Sequence, residues 1–163
     1  MTASGKAKLI VPITKPQGNH TLTRDIEICY REPWREQHWK TLQSAYSSSP
    51  FFTYYTDTLQ PLFESEETIL INHNSSILQT ITGLIGIQPT IKFTDDFEKQ
   101  PETKLDLRSG LSSKKSPFQL EFSPYPQVFS HKYGFIPNLS ILDVLFNLGP
   151  EAGRYLEKLT VDS

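Results

Sequence analysis

The sequence is short of several things, and each shortage narrows its possible roles. A single cysteine, Cys29, in 163 residues leaves no internal disulfide and no cysteine-built zinc site. No apolar run reaches the roughly 18 residues that a membrane-spanning helix needs. The N-terminus lacks the apolar core of a signal peptide, so a cytoplasmic location is the expectation. Charge of one sign is scarce as well. The formal net charge is −2, so no global basic field argues for nucleic acid. There is no internal repeat, P-loop, paired-glycine nucleotide fingerprint, metal-spaced histidine cluster or nucleophile elbow. No cofactor, metal, nucleic acid or membrane span is expected.

What the chain does have is apolar and aromatic mass. Hydrophobic residues are 37%, aromatics 12% and charged residues 21%, a composition that folds. The densest apolar run is Phe135 to Gly149. Pro137 precedes its core, Ser140 and Asp143 stand three apart as a capping box does, and Gly149-Pro150 stops it. Apolar residues go almost all the way round, so a helix at 138–149 is expected at the centre of the core. Its polar residues Ser140, Asp143 and Asn147 fall on one side. Two readings of that stripe stand. In one, Ser140 caps the first turn, Asp143 answers it near the positive end of the helix dipole, and Asn147 faces water. In the other, the stripe lines a polar pocket cut into the core.

Leu9 to Ile13, Asp25 to Tyr30 and Thr90 to Thr94 read as three strands. Cys29 reads as a packing residue more readily than as a nucleophile. Glu32-Pro33-Trp34 opens the clearest surface helix. Trp34, His38, Leu42 and Ala45 form its stripe, Trp39 and Tyr46 widen it, and Glu36 with Lys40 makes an i, i+4 pair. His38, on the apolar face beside an indole, is a candidate base or a core histidine bonded to backbone. Phe51 to Tyr55 begins a second, shorter helical stretch, with a break expected near Pro61. A third helix is expected from Ser65, interrupted at Asn72 to Ser76, with His73 exposed. Asp95 to Pro117 is the polar stretch, and connections of that length are mobile or functional. Its Asp106, Arg108, Lys114 and Lys115 suit either a carboxylate or phosphate site or an ordinary solvated loop. In extended form Tyr125, Gln127 and Phe129 share a face. His131, in a turn before Gly134, reads as exposed, with a base as the other option. A last helix follows Pro150. The expected fold is α+β of mixed type: a small β-sheet packed by three to four helices.

Three separated blocks occur in one order. The first is Pro33-Trp34-Arg35-Glu36-Gln37-His38-Trp39-Lys40, running on through Ala45-Tyr46-Ser47-Ser48-Ser49-Pro50-Phe51-Phe52 and Tyr55. The second is Asp106-Leu107-Arg108 with Lys114-Lys115. The third is Tyr125-Pro126-Gln127-Val128-Phe129 followed by Gly134 to Gly149. Together they resemble the WbqC-like family over nearly the whole chain. The resemblance implies one WbqC-like domain over residues 1–163. It also implies a role in surface-polysaccharide (O-antigen) biosynthesis, with aminoacyl transfer to a sugar, such as of glycine, as the suggested reaction. Family members usually carry a further few tens of residues before the segment matching Gly5 to Ile13. Here Met1 stands almost directly before that segment, so the chain is expected to lack the family's N-terminal part.

Two functional expectations follow. The first is a cytoplasmic transferase acting on an activated sugar or acyl donor. Its catalytic candidates are His38 and His131 as general base, with Asp143. Arg108, Lys114 and Lys115 would hold the donor's phosphate or carboxylate, Arg35, Asp106 and Tyr125 would add substrate contacts, and Gln127 and Asp143 would orient the acceptor. The second is a non-catalytic protein that docks through its aromatic helix 33–55 on another protein or on the absent N-terminal segment; a protein partner or a homodimer is the matching partner expectation. A continuous exposed patch of Trp39, Tyr54 and Tyr55 would be its mark.

Overall fold

A computed structural model describes residues 1–94, 97–99, 106, 119–159 and 161–162. The elements run in the order β1 (Ile13–Thr14), β2 (Glu27–Ile28), α1 (Trp34–Tyr46), α2 (Phe52–Glu64), α3 (Leu70–Leu84), β3 (Gln119–Leu120), α4 (Ser130–Tyr133), α5 (Ile141–Leu148), α6 (Ala152–Glu157) and β4 (Val161–Asp162). The fold is mixed α+β, and helices supply most of it. β1 pairs antiparallel with β2, Ile13 opposite Ile28. β3 pairs antiparallel with β4.

The third partner of the first pair is not residues 90–94, which form no strand. It is the segment before α3. Glu27 bridges Ile69. The Ile28 N–H donates to the Thr68 carbonyl at 2.7 Å, and the Leu70 N–H to the Ile26 carbonyl at 2.9 Å. Alternation specifies a strand only where one face finds cover. Phe93, on that alternating stretch, stays 65% exposed.

α1 follows its pattern: Trp34, His38, Leu42, Ala45 and Tyr46 are buried, and Lys40 meets Glu36 at 3.5 Å on the solvent side. α2 does not break at Pro61. That proline lies near the end of the helix, where its missing N–H removes one bond, and the Ser65 N–H closes on the Pro61 carbonyl at 3.1 Å. α3 begins at Leu70 rather than Ser65 and runs unbroken through Asn72 to Ser76. The Ser75 hydroxyl donates back to the Ile71 carbonyl at 2.6 Å, so its polarity is absorbed inside the helix.

α5 is the interior element. Leu145 and Phe146 are fully buried, alongside Leu59 of α2 and Ala152 of α6. The Phe146 ring lies 5.0 Å from those of Tyr46 and Phe52. Side chains of this size stabilise by about 1.5–3 kcal/mol each when fully buried. α5 ends at Gly149, whose φ of +57° suits glycine. A Cβ there would stand 2.5 Å from the Phe51 ring. Close approach at that point lets the Phe51 N–H reach the Phe146 carbonyl at 3.0 Å, tying the start of α2 to α5.

Candidate functional site

The polar stripe of α5 is built into the core. Ser140 caps the helix, its hydroxyl accepting from the Leu142 N–H at 3.3 Å. Asp143 does not reach back to complete a capping box. It is 1% exposed and faces inward. Its Oδ1 accepts from the Tyr46 hydroxyl at 2.8 Å. Its Oδ2 accepts from the Tyr125 hydroxyl at 2.7 Å and from Gln127 Nε2 at 2.9 Å. Asn147 is buried too, its Nδ2 donating to the Asp143 carbonyl at 2.8 Å, so the expectation that it faces water fails.

Gln127 is fixed from both ends of its amide. Nε2 also donates to the Ile136 carbonyl at 3.0 Å, and Oε1 accepts from the Ile136 N–H at 2.9 Å. The segment after α4 is thereby paired to a side chain as it would be to a strand. Tyr125 and Gln127, two apart on an extended segment, point the same way, and both reach Asp143.

Every described donor on Asp143 is neutral. Among the described residues no lysine or arginine pairs with it. A buried charge needs such compensation, since an isolated carboxylate in a low-dielectric interior is costly. The environment also acts on the donors. Burial, and then the carboxylate charge, push the Tyr46 phenol far above its ordinary range. Burial and the bond to Asp143 do the same to Tyr125. Both tyrosines therefore stay protonated and keep donating.

Beside this cluster lies a cavity of about 250 Å3. Tyr46 and Ser140 line it, with Thr41, Leu42 and Leu142 from the helices and Leu9 from the N-terminal segment. Met1 lines it as well. Its α-ammonium donates to Tyr46 Oη at 3.2 Å. Burial lowers the pKa of that ammonium, and Asp143 pulls the other way. A second cleft of about 250 Å3 lies at the end of α3, and among the described residues its wall of Gln79, Thr82, Ile87, Gln88 and aliphatic neighbours holds no ionisable group.

His38 belongs to a different cluster. It lies eight residues before Tyr46 on α1, about 12 Å along the helix axis. Its ring is 5.2 Å from the Trp34 ring, and it bonds to the Ile10 backbone. His73, expected on the surface, is only 4% exposed and packs 5.9 Å from Trp34 on its other contact. Burial lowers the pKa of both histidines. Trp34 Nε1, buried between them, has no hydrogen-bond partner.

The candidates thus separate. Tyr125, Gln127 and Asp143 converge, and His38 stands apart. His131 is exposed on the short α4. Arg35 is pinned, its guanidinium over the Tyr30 ring at 4.9 Å and donating to the Glu64 carbonyl at 3.0 Å and to that of Ser65. Asp106 is exposed. Arg108, Lys114 and Lys115 lie outside the described residues. The aromatic docking patch is not continuous: Tyr54 is 75% exposed, but Tyr55 is buried and Trp39 is half-buried, stacked on Phe52 at 6.0 Å. Tyr46 is the residue that pattern reading passed over. Its place in an apolar stripe hid it, although a buried tyrosine hydroxyl asks for a partner. Among the described residues no cluster of three His, Cys, Asp or Glu side chains is placed to hold a metal, and no helix is long and apolar enough to cross a membrane.

The fold and site define an α+β protein with a neutral-donor carboxylate cluster beside a small cavity. A protein-family model described as the WbqC-like protein family matches residues 1–116 and 113–155. The chain belongs to that family. It is also similar to an uncharacterized protein, Rv1507c, of Mycobacterium tuberculosis (strain ATCC 25618 / H37Rv), at 27% identity over 183 residues, 95% of this chain and 78% of that protein. No solved structure matches.

Proposed function

We propose that this chain is a cytoplasmic transferase that passes an acyl or aminoacyl group from an activated donor to a sugar acceptor in surface-polysaccharide biosynthesis. The observation that carries the reading is the Tyr46–Asp143 pair on the wall of the cavity. The Tyr46 proton is held by Asp143, so the phenol oxygen turns a lone pair outward. It is an acceptor for an O–H or N–H arriving in the cavity. A free phenolate is disfavoured by burial. Proton movement therefore has to be concerted: the acceptor's proton passes to Tyr46 Oη as the Tyr46 proton passes to Asp143 Oδ1. The acceptor's freed electron pair forms the bond to the donor carbonyl carbon, and the donor's leaving group departs with its own pair. Tyr125 and Gln127 hold the carboxylate in place. Neither His38 nor His131 is needed as the base.

A screen with nucleotide-sugars and acyl-CoAs, followed by transfer assays with the binders, tests the reading. Tyr46→Phe keeps the ring and removes the relay, so kcat should fall about 10²–10⁴-fold with KM little changed. Full activity in Tyr46→Phe, or no binding of any donor, would overturn it.

A further inference from the structure

We infer that the cavity beside Tyr46 reads the hydroxyl hydrogens of a neutral polyol, one sugar ring in size, with Tyr46 and Thr41 as acceptors and Ser140 as donor. The inference deepens the transferase reading, on which it rests only for the role of that polyol as the acceptor substrate.

The direction of three hydroxyl hydrogen bonds carries it. Tyr46 gives its proton to Asp143 Oδ1 at 2.8 Å, and Thr41 gives its own to the Gln37 carbonyl at 2.7 Å. A hydroxyl has one hydrogen, so toward the cavity both oxygens offer lone pairs alone. Ser140 is set the other way. As the cap of α5 its oxygen accepts from the Leu142 N–H at 3.3 Å, which leaves its hydrogen to be donated. All three residues line the cavity.

A ligand matched to this pattern gives two hydrogen bonds and takes one. A hydroxyl can do both with a single oxygen, and neighbouring hydroxyls on one ring supply the whole set. A carboxylate or phosphate would instead set its lone pairs against those of Tyr46 and Thr41. These two stand five residues apart on α1, about 7.5 Å along its axis, so different hydroxyls of the ligand meet them.

The rest of the wall suits the same chemistry. Leu9, Leu42 and Leu139 present aliphatic surface, which covers the C–H face of a sugar while a few placed polar groups fix its orientation. About 250 Å3 falls below the ~300–1,000 Å3 of sites for drug-sized ligands, so the enclosed group is of the order of one ring.

Glucose, galactose and mannose, each with its set of monodeoxyfluoro analogues, are titrated into the whole chain at pH 7 by calorimetry. Fluorine is close to a hydroxyl in size but cannot donate. At least one of the three sugars should bind, and at two of its positions fluorine should weaken binding about tenfold, because each leaves a protein acceptor unpaired. Thr41→Val keeps the shape and removes one acceptor, so it should erase one of these penalties. Tyr46→Phe should erase the other. The Thr41 bond to Gln37 lies at the surface, so Thr41→Val folds and decides the matter alone if Tyr46→Phe does not. Analogues that bind like their parent overturn the inference, as does a Thr41→Val chain that keeps both penalties, or no binding of any of the three sugars. The transferase reading fails separately: sugars that bind this way without accepting a group would sink it alone. Transfer to a sugar whose binding ignores every fluorine would sink only the hydroxyl readout.

Discussion

At the scale of single residues, Gln127 has the most to lose. Its one amide group makes three hydrogen bonds, two to Ile136 and one to Asp143. Gln127→Ala leaves a buried carboxylate short of a donor and the Ile136 backbone unpaired. Net losses of 0.5–1.5 kcal/mol per bond, with more for a charged partner, predict about 3 kcal/mol lower stability, measured by urea unfolding. Gln127→Glu should be worse, because it sets a second negative charge against Asp143. The sequence told part of this. Ser140, Asp143 and Asn147 were legible as a stripe, and Tyr125 and Gln127 as neighbours on one face. Tyr46 was not, because its partner lies 97 positions away and no local spacing encodes such a distance. His73 was misjudged for a related reason. Its flanks of asparagine and serine look solvated, but the other side of α3 packs on Trp34.

At the scale of elements, glycines mark where the backbones come together. Gly149 needs its positive φ and has the Phe51 ring where a Cβ would go. Gly149→Ala should cost about 2–4 kcal/mol, combining left-handed strain with overpacking, and calorimetric melting would show it as a drop of several degrees. Gly153 shows the same design without a positive φ: a Cβ there would stand 2.5 Å from the Ile85 backbone carbonyl, so α6 sits directly on the end of α3. Helices were easy to find in the sequence because each carries a 3.6-residue apolar period. Their interruptions were overread: Pro61 and the Asn72–Ser76 run looked like breaks, yet one sits near a helix end and the other has an internal hydrogen bond. Strands were harder. With two residues apiece they carry no usable period, and the partner of β2 at Thr68–Leu70 was absorbed into a helix reading.

At the scale of the whole molecule, the paired histidines set the response to acid. His38 and His73 both have folded-state pKa values below the ordinary 6.5, chiefly from burial. Glu67 opposes this at His73 and Arg35 adds to it. The unfolded chain therefore binds more protons than the folded one once pH drops below about 6.5. Stability is full above that value and is lost as pH falls toward the lowered values. Melting temperature should be level from pH 8 to 7 and decline toward pH 5, and His73→Phe should flatten the decline. An unchanged slope in that variant would remove His73 as a cause. The Asp143 cluster has another consequence, set by order of synthesis. Tyr46 is made 97 residues before its carboxylate. At the usual ~5–20 residues per second of translation, that is about 5–20 s in which the Tyr46 phenol waits for its carboxylate. The hydrogen-bonded core around Asp143 can close only when the last quarter of the chain arrives.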